Sequence, residues 1–191
     1  ILKAKRPVIF VGEEVNMLGG TQQIIELAEK LGAAVVTGDG AKGAFPEDHP
    51  QSLGQSMGRR IWGENPLQEW MGTCDLAIVL GSILPQRTTT GIQMQLPKDI
   101  VHVLLDGDAI GKNYSTAVPI VANSQAVVQQ WLGAIGGQDV HKGKSFQNDI
   151  VTIRGEMRSV LQETWGNELK VFETIREVTP RNTIFSLDPT V

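Results

Sequence analysis

Val101-His-Val-Leu-Leu-Asp-Gly-Asp-Ala-Ile-Gly-Lys-Asn-Tyr114, followed shortly by Val118-Pro-Ile-Val-Ala-Asn123, decides how this chain is read. The apolar run over 101–105 predicts a strand buried on both faces. It halts at Asp106-Gly107-Asp108. A second short strand is predicted over 120–122, and Asn123 opens a new helix. In an open parallel sheet, ligands lie beyond the carboxyl ends of strands, where the strand order reverses. Asp106 and Asn123 stand at such ends, and a carboxylate there can bind ribose hydroxyls. Each also has a plain structural role, Asp106 in a polar turn and Asn123 as a helix N-cap.

The flanking sequence repeats this pattern. Residues 7–11 form an apolar run ended by Gly12, and 13–20 read as a polar, glycine-containing loop. Thr21 is expected to cap a helix that turns Ile24, Leu27, Ala28 and Leu31 to one face and stops at Gly32. Residues 34–37 are the next strand, completing a right-handed βαβ unit. A helix over 66–71 leads to a strand over 75–80, ended by Gly81-Ser82. The polar loop 83–91 that follows carries Arg87. A helix over 124–132 offers Val127, Val128, Trp131 and Leu132 to the sheet. This order predicts an α/β fold, a doubly wound and mainly parallel sheet. The residues placed for ligand contact are Gly12, Gly81, Ser82, Arg87, Asp106, Gly107 and Asn123.

Two motifs are decoys. Gly38, Gly40 and Gly43 match GxGxxG, but that fingerprint needs a helix whose first amides meet a pyrophosphate. Here Pro46 and Pro50 follow, so a loop is expected. Gly38-Asp39-Gly40 with Asn65 imitates a magnesium-diphosphate motif, yet Asn65 precedes Pro66 and the start of a helix. Residues 52–63 are glycine-rich and hold Met57, Arg59, Arg60 and Trp62; the arginines read as solvated surface.

Composition narrows the class. The chain has 191 residues, 41% of them hydrophobic, and a net charge of -4, with a pI near 5.4. That balance argues against a nucleic-acid surface, and no apolar run is long enough to span a bilayer. The single cysteine, Cys74, cannot form an internal disulfide, which makes a cytoplasmic setting the expectation. His49, His102 and His141 are isolated from one another, so no metal-ligand spacing is present. Four glycines between 133 and 144 suggest a linker. Helices over 148–163 and 167–178 and a strand over 183–187 complete the prediction. The expected organisation is a central domain over 1–133, a linker with a helical segment over 134–166, and the truncated start of a further domain over 167–191.

A family resemblance rests on pieces that occur in register. These are Gly38 to Pro46, His49-Pro50 with Leu53-Gly54, Asp75-Leu-Ala-Ile-Val-Leu-Gly-Ser82, Asp106-Gly-Asp108 with Ile110-Gly-Lys-Asn-Tyr114, and Val118-Pro-Ile-Val121. Together they resemble the central, Rossmann-like domain of thiamine-diphosphate enzymes of the acetolactate synthase and benzoylformate decarboxylase type. The tail from Asn167 resembles the opening of that family's pyrophosphate-binding domain.

The resemblance implies a parent enzyme that makes or breaks a bond beside a 2-oxo acid carbonyl, as a synthase, decarboxylase or lyase. Its thiamine diphosphate and Mg2+ act as the electron sink. It further implies that the catalytic glutamate and the magnesium-diphosphate motif lie in other domains. This chain would then hold no thiamine diphosphate and carry no catalytic residue. Its partners would be the two catalytic domains of the parent, itself a homo-oligomer, with neither nucleic acid nor membrane involved.

The middle domain holds FAD in some members, an ADP moiety in others and nothing in many. Here Glu13-Glu14 follows Gly12 where flavin-binding members resemble one another in a glycine cluster, and of the arginine-rich stretch after Gly81 only Arg87 is kept. A structural middle domain is the expectation, with ADP or FAD as the ligands it would take if it takes one. The alternative is a stand-alone adenine-nucleotide or FAD-binding module of the same fold.

Overall fold

A computed structural model describes residues 1–56, 66–89, 91–138 and 144–185. Among the described residues six strands form one sheet: β1 (Pro7–Val11), β2 (Ala34–Thr37), β3 (Ser52–Gln55), β4 (Leu76–Leu80), β5 (Ile100–Leu104) and β6 (Val118–Val121). Their spatial order is β3-β2-β1-β4-β5-β6, and every neighbouring pair is parallel. The order reverses between β1 and β4, which makes their carboxyl ends the topological switch point. The doubly wound sheet expected from the sequence is the fold observed.

Side-chain alternation along the strands builds two cores. Ile9, Val11, Val35, Ile78 and Val103 face one side, where α2 (Thr21–Leu31) and α4 (Ser124–Ile135) cover them with Ile24, Leu27, Leu31, Val127 and Val128. Val8, Phe10, Val36, Ala77 and Val79 face the other. There α3 (Pro66–Gly72) contributes Leu67 and Met71, and α5 (Lys144–Val178) contributes Phe146, Ile150 and Ile153. Strands buried on both faces are dominated by apolar residues, which is why β1 and β4 read as unbroken apolar runs.

Several local expectations are corrected. Residues 13–18, read as loop, form the short helix α1 (Glu13–Leu18), whose Glu13 and Glu14 favour its positive N-terminus. A helix of six residues is too short to show a period. Thr21 is not the N-cap of α2: Gly20 holds that place at φ 116°, and Thr21 Oγ1 instead donates to the Ala44 carbonyl at 2.9 Å. Strand β3 falls in the stretch 52–63, for which the sequence predicts no element. It is an edge strand with a register shift opposite Val35 and Thr37, eased by Gly54 at φ +72°. The other edge, β6, carries Pro119.

The two helices expected near the end of the chain are both there, joined through Trp165, whose φ of -133° is not helical. Arg158 and Glu173, fifteen residues apart, are hydrogen-bonded. A straight helix would separate them by about 22 Å, so the chain doubles back at Trp165. No strand forms over 183–185; Thr183 N closes a turn onto the Pro180 carbonyl, and residues 186–191 lie outside the described residues. So do Met57, Arg59, Arg60, Trp62 and Asn65, and residues 139–143 of the expected linker.

Candidate functional site: the switch-point rim

The turn after β1 and the turn after β4 meet directly. Gly12 N donates to the Leu80 carbonyl at 2.8 Å, and Gly81 N to that of Val103 at 2.9 Å. A β-carbon on Gly12 would lie 2.2 Å from the Gly81 carbonyl oxygen and 2.4 Å from Ser82 Cα. Gly12, Gly81 and Ser82 are therefore brought together as the sequence suggested, but by backbone contact that leaves no slot between them.

Helix α1 closes the crevice further. Glu14 N donates to the Gly81 carbonyl at 3.1 Å, and Gly81 sits so near Glu14 that a side chain there would meet Glu14 Cβ at 2.7 Å. From that position Glu14 Oε1 accepts the amide hydrogen of Leu105, just past β5, at 3.2 Å. Glu14 Oε2 is buried without a hydrogen-bond partner. Burial pushes the Glu14 carboxyl above its usual range, the Leu105 amide opposes this, and Glu13 and Asp106 add to the rise.

The remaining predicted residues have partners within the protein. Asp106 Oδ1 accepts from Asp108 N at 3.0 Å and caps a short 3-10 turn, Gly107–Ala109. Gly107 lies against Val121 of β6. Asn123 Oδ1 accepts from Ala126 N at 3.1 Å, the N-cap bond of α4. Arg87 is paired through Nε with Asp39 Oδ2 at 2.5 Å, while Asp39 Oδ1 accepts from Gln55 at 2.7 Å. Asp39 belongs to the loop that imitates both decoy motifs. That loop contains only a 3-10 turn, Asp39–Ala41, and no long helix.

A nucleotide diphosphate in this crevice would need free amides and a positive field. The amides of Gly12, Glu14, Gly81 and Leu105 are all bonded to protein acceptors, and the side-chain charges that act on Glu14 are those of Glu13 and Asp106, both negative. The residues present do not fit the diphosphate of ADP or FAD. Nor do they fit the magnesium of thiamine diphosphate: Asp39 is committed to Arg87 and Gln55, and among the described residues no group of His, Cys, Asp and Glu is arranged to hold a metal. A cleft of ≈ 380 Å³ lies elsewhere, between β3 and α5. Its cations are engaged too: Lys42 with Glu47, Arg158 with Glu173, and Arg154 with the carbonyls of His49 and Pro50.

Two residues of the rim escaped the sequence reading. Glu14 enters the sequence analysis only as one of two glutamates in place of a glycine cluster; its place two residues beyond the glycine that ends β1 is the available signal. His102, at the centre of the quoted stretch, is buried and donates through Nε2 to the Ser82 carbonyl at 2.7 Å. Nothing in its sequence neighbours points to that contact.

The sheet order, the helices on both faces and the glycine turns at the switch point define an open α/β domain of the nucleotide-fold class. Residues 1–131 match the family described as thiamine pyrophosphate enzyme, central domain, and the chain belongs to that family. It is 34% identical over 155 residues to the probable acetolactate synthase large subunit of Methanocaldococcus jannaschii, covering 81% of this chain and 26% of that protein. It is 37% identical over 134 residues to the acetolactate synthase large subunit of Buchnera aphidicola, covering 69% and 23%. With the isozyme 3 large subunit of Escherichia coli it shares 29% over 143 residues, 74% of this chain and 24% of that one. The chain spans about a quarter of the length of these curated relatives. They give no support to a stand-alone nucleotide-binding module.

Proposed function

We propose that this chain is the middle domain of a longer thiamine-diphosphate enzyme of the acetolactate synthase type, acting on 2-oxo acids. The family match over residues 1–131 carries this reading. In it, residues 1–133 are the domain proper, 134–166 the connection, and 167–191 the approach to the domain that would hold the diphosphate. The domain's role is to set the spacing of two catalytic domains, with thiamine diphosphate and Mg2+ held between those domains and not here. Its core, packed on both faces of the sheet, suits that task.

The folded-back end of α5 supports the assignment of a neighbouring domain. Trp165, Val171, Phe172, Ile175 and Val178 are exposed there, and apolar surface of that kind marks a contact site. A homo-oligomeric parent and a cytoplasmic setting belong to the same reading; the single, buried Cys74 is in keeping with the latter.

The test has two arms. Calorimetry of this chain with thiamine diphosphate and Mg2+ should give no binding heat. A longer polypeptide carrying this segment, supplied with both, should release carbon dioxide from a 2-oxo acid such as pyruvate. Tight binding by the chain alone, or no turnover of any 2-oxo acid by the longer polypeptide, sinks the reading.

A further inference from the structure

We propose that Glu14 is a tethered internal ligand of the switch-point crevice, and that its carboxylate keeps nucleotide diphosphates off the Leu105 amide at that rim. Its side chain leaves α1 beside Gly81, crosses the mouth of the crevice, and places Oε1 on the amide of Leu105. That amide lies just past the end of β5, where an anion bound at the carboxyl ends of the strands would look for a donor. The carboxylate thus makes from within the bond that an incoming anion would make from outside.

Glu14 Oε2 carries the second half of the argument. It is buried and has no partner, so a diphosphate oxygen brought to the same place would meet an unscreened negative group of the protein. Two like charges brought together at a protein surface repel. Glu13 and Asp106 add to that field; Asp106 accepts from the Asp108 amide, not from that of Leu105, and both remain in the variants below. This exclusion depends on the crevice alone, whatever the longer protein catalyses.

The experiment compares wild type, Glu14→Ala and Glu14→Gln by amide NMR at neutral pH, titrating each with ADP and then with FAD. In wild type the signals of Gly12, Gly81 and Leu105 should stay still. Glu14→Ala frees the Leu105 amide and removes the charge, and should bind ADP at least about tenfold more tightly than wild type, with saturable shifts at those amides. Glu14→Gln keeps the bulk and the bond to Leu105 while losing the charge, and should fall between the two.

Wild type binding ADP or FAD at these amides as tightly as Glu14→Ala overturns the proposal. So does a well-folded Glu14→Ala that shows no shifts there. If Glu14→Ala does not fold, Glu14→Gln decides: tighter binding than wild type supports the proposal, and equal binding overturns it.

Discussion

His102 on β5 is hydrogen-bonded to Ser82, whose carbonyl accepts from Nε2 at 2.7 Å and so ties the centre of one strand to the turn that ends its neighbour. The ring is 2% exposed, and its other nitrogen, Nδ1, has no partner. Burial holds the imidazole below its usual pKa of 6.5, against a smaller opposing effect of the Ser82 carbonyl.

A histidine whose folded pKa is lowered contributes stability that is full above its unfolded pKa and is lost as pH falls below it. The urea midpoint of wild type should therefore drop between about pH 7.5 and about pH 5.5 more steeply than that of His102→Gln. Parallel pH profiles for the two proteins would show that His102 is not the group responsible.

Glu14 acts with the opposite sign. Its folded pKa is raised above 4.5, chiefly by burial, so the fold favours the protonated carboxyl. The stability it contributes is present below the unfolded pKa and lost as pH rises through the folded one. Glu14→Gln, which retains an acceptor for Leu105, should denature at a higher urea concentration than wild type at neutral pH. The two should converge near pH 4. A variant less stable at neutral pH would mean that the ionised carboxylate is favoured where it sits.

Glycines at different places should respond in opposite directions to the same substitution. Gly12→Ala drives a methyl group into the backbone of Gly81 and Ser82, and should cost about 3 kcal/mol or prevent folding. Gly133, within α4, has no atom near its missing side chain. Gly133→Ala should therefore stabilise by roughly 0.5–1 kcal/mol. Thermal midpoints of both variants give the check, and a neutral Gly12→Ala would mean the two turns are not in contact.

Asn123 is bonded as a cap, and a cap has a recognisable substitution pattern. Asn123→Ala should lose about 1 kcal/mol, while Asn123→Asp and Asn123→Ser should lose little. If instead all three are indistinguishable from wild type in chemical denaturation, the bond to Ala126 adds nothing to α4.

The fold was legible because burial on both faces writes itself into composition. Residues 7–11 and 76–80 contain no polar residue, and glycine or polar turns punctuate them. Elements that are short or lie at an edge left no such mark. Helix α1 has a single buried residue, Val15, and β3 is four residues long with a glycine inside it.

At the site, sequence order placed Gly12, Gly81, Ser82, Asp106 and Asn123 correctly at strand ends. It could not say that two of the turns would touch, or that Arg87 would turn toward Asp39. Those are distances between segments far apart in the chain, and periodicity carries no information about them.

The two outermost strands bear on how such a sheet behaves in a concentrated cell. A parallel sheet six strands wide ends in two rows of unsatisfied backbone groups, the kind of border on which foreign strands assemble into fibrils. One border, β3, is shortened to four residues and thrown out of step opposite Val35 and Thr37. The other, β6, is interrupted by Pro119, which has no amide hydrogen to offer. Val118 and Val121 remain exposed on that strand, so Pro119 removes a donor from a border that is otherwise apolar.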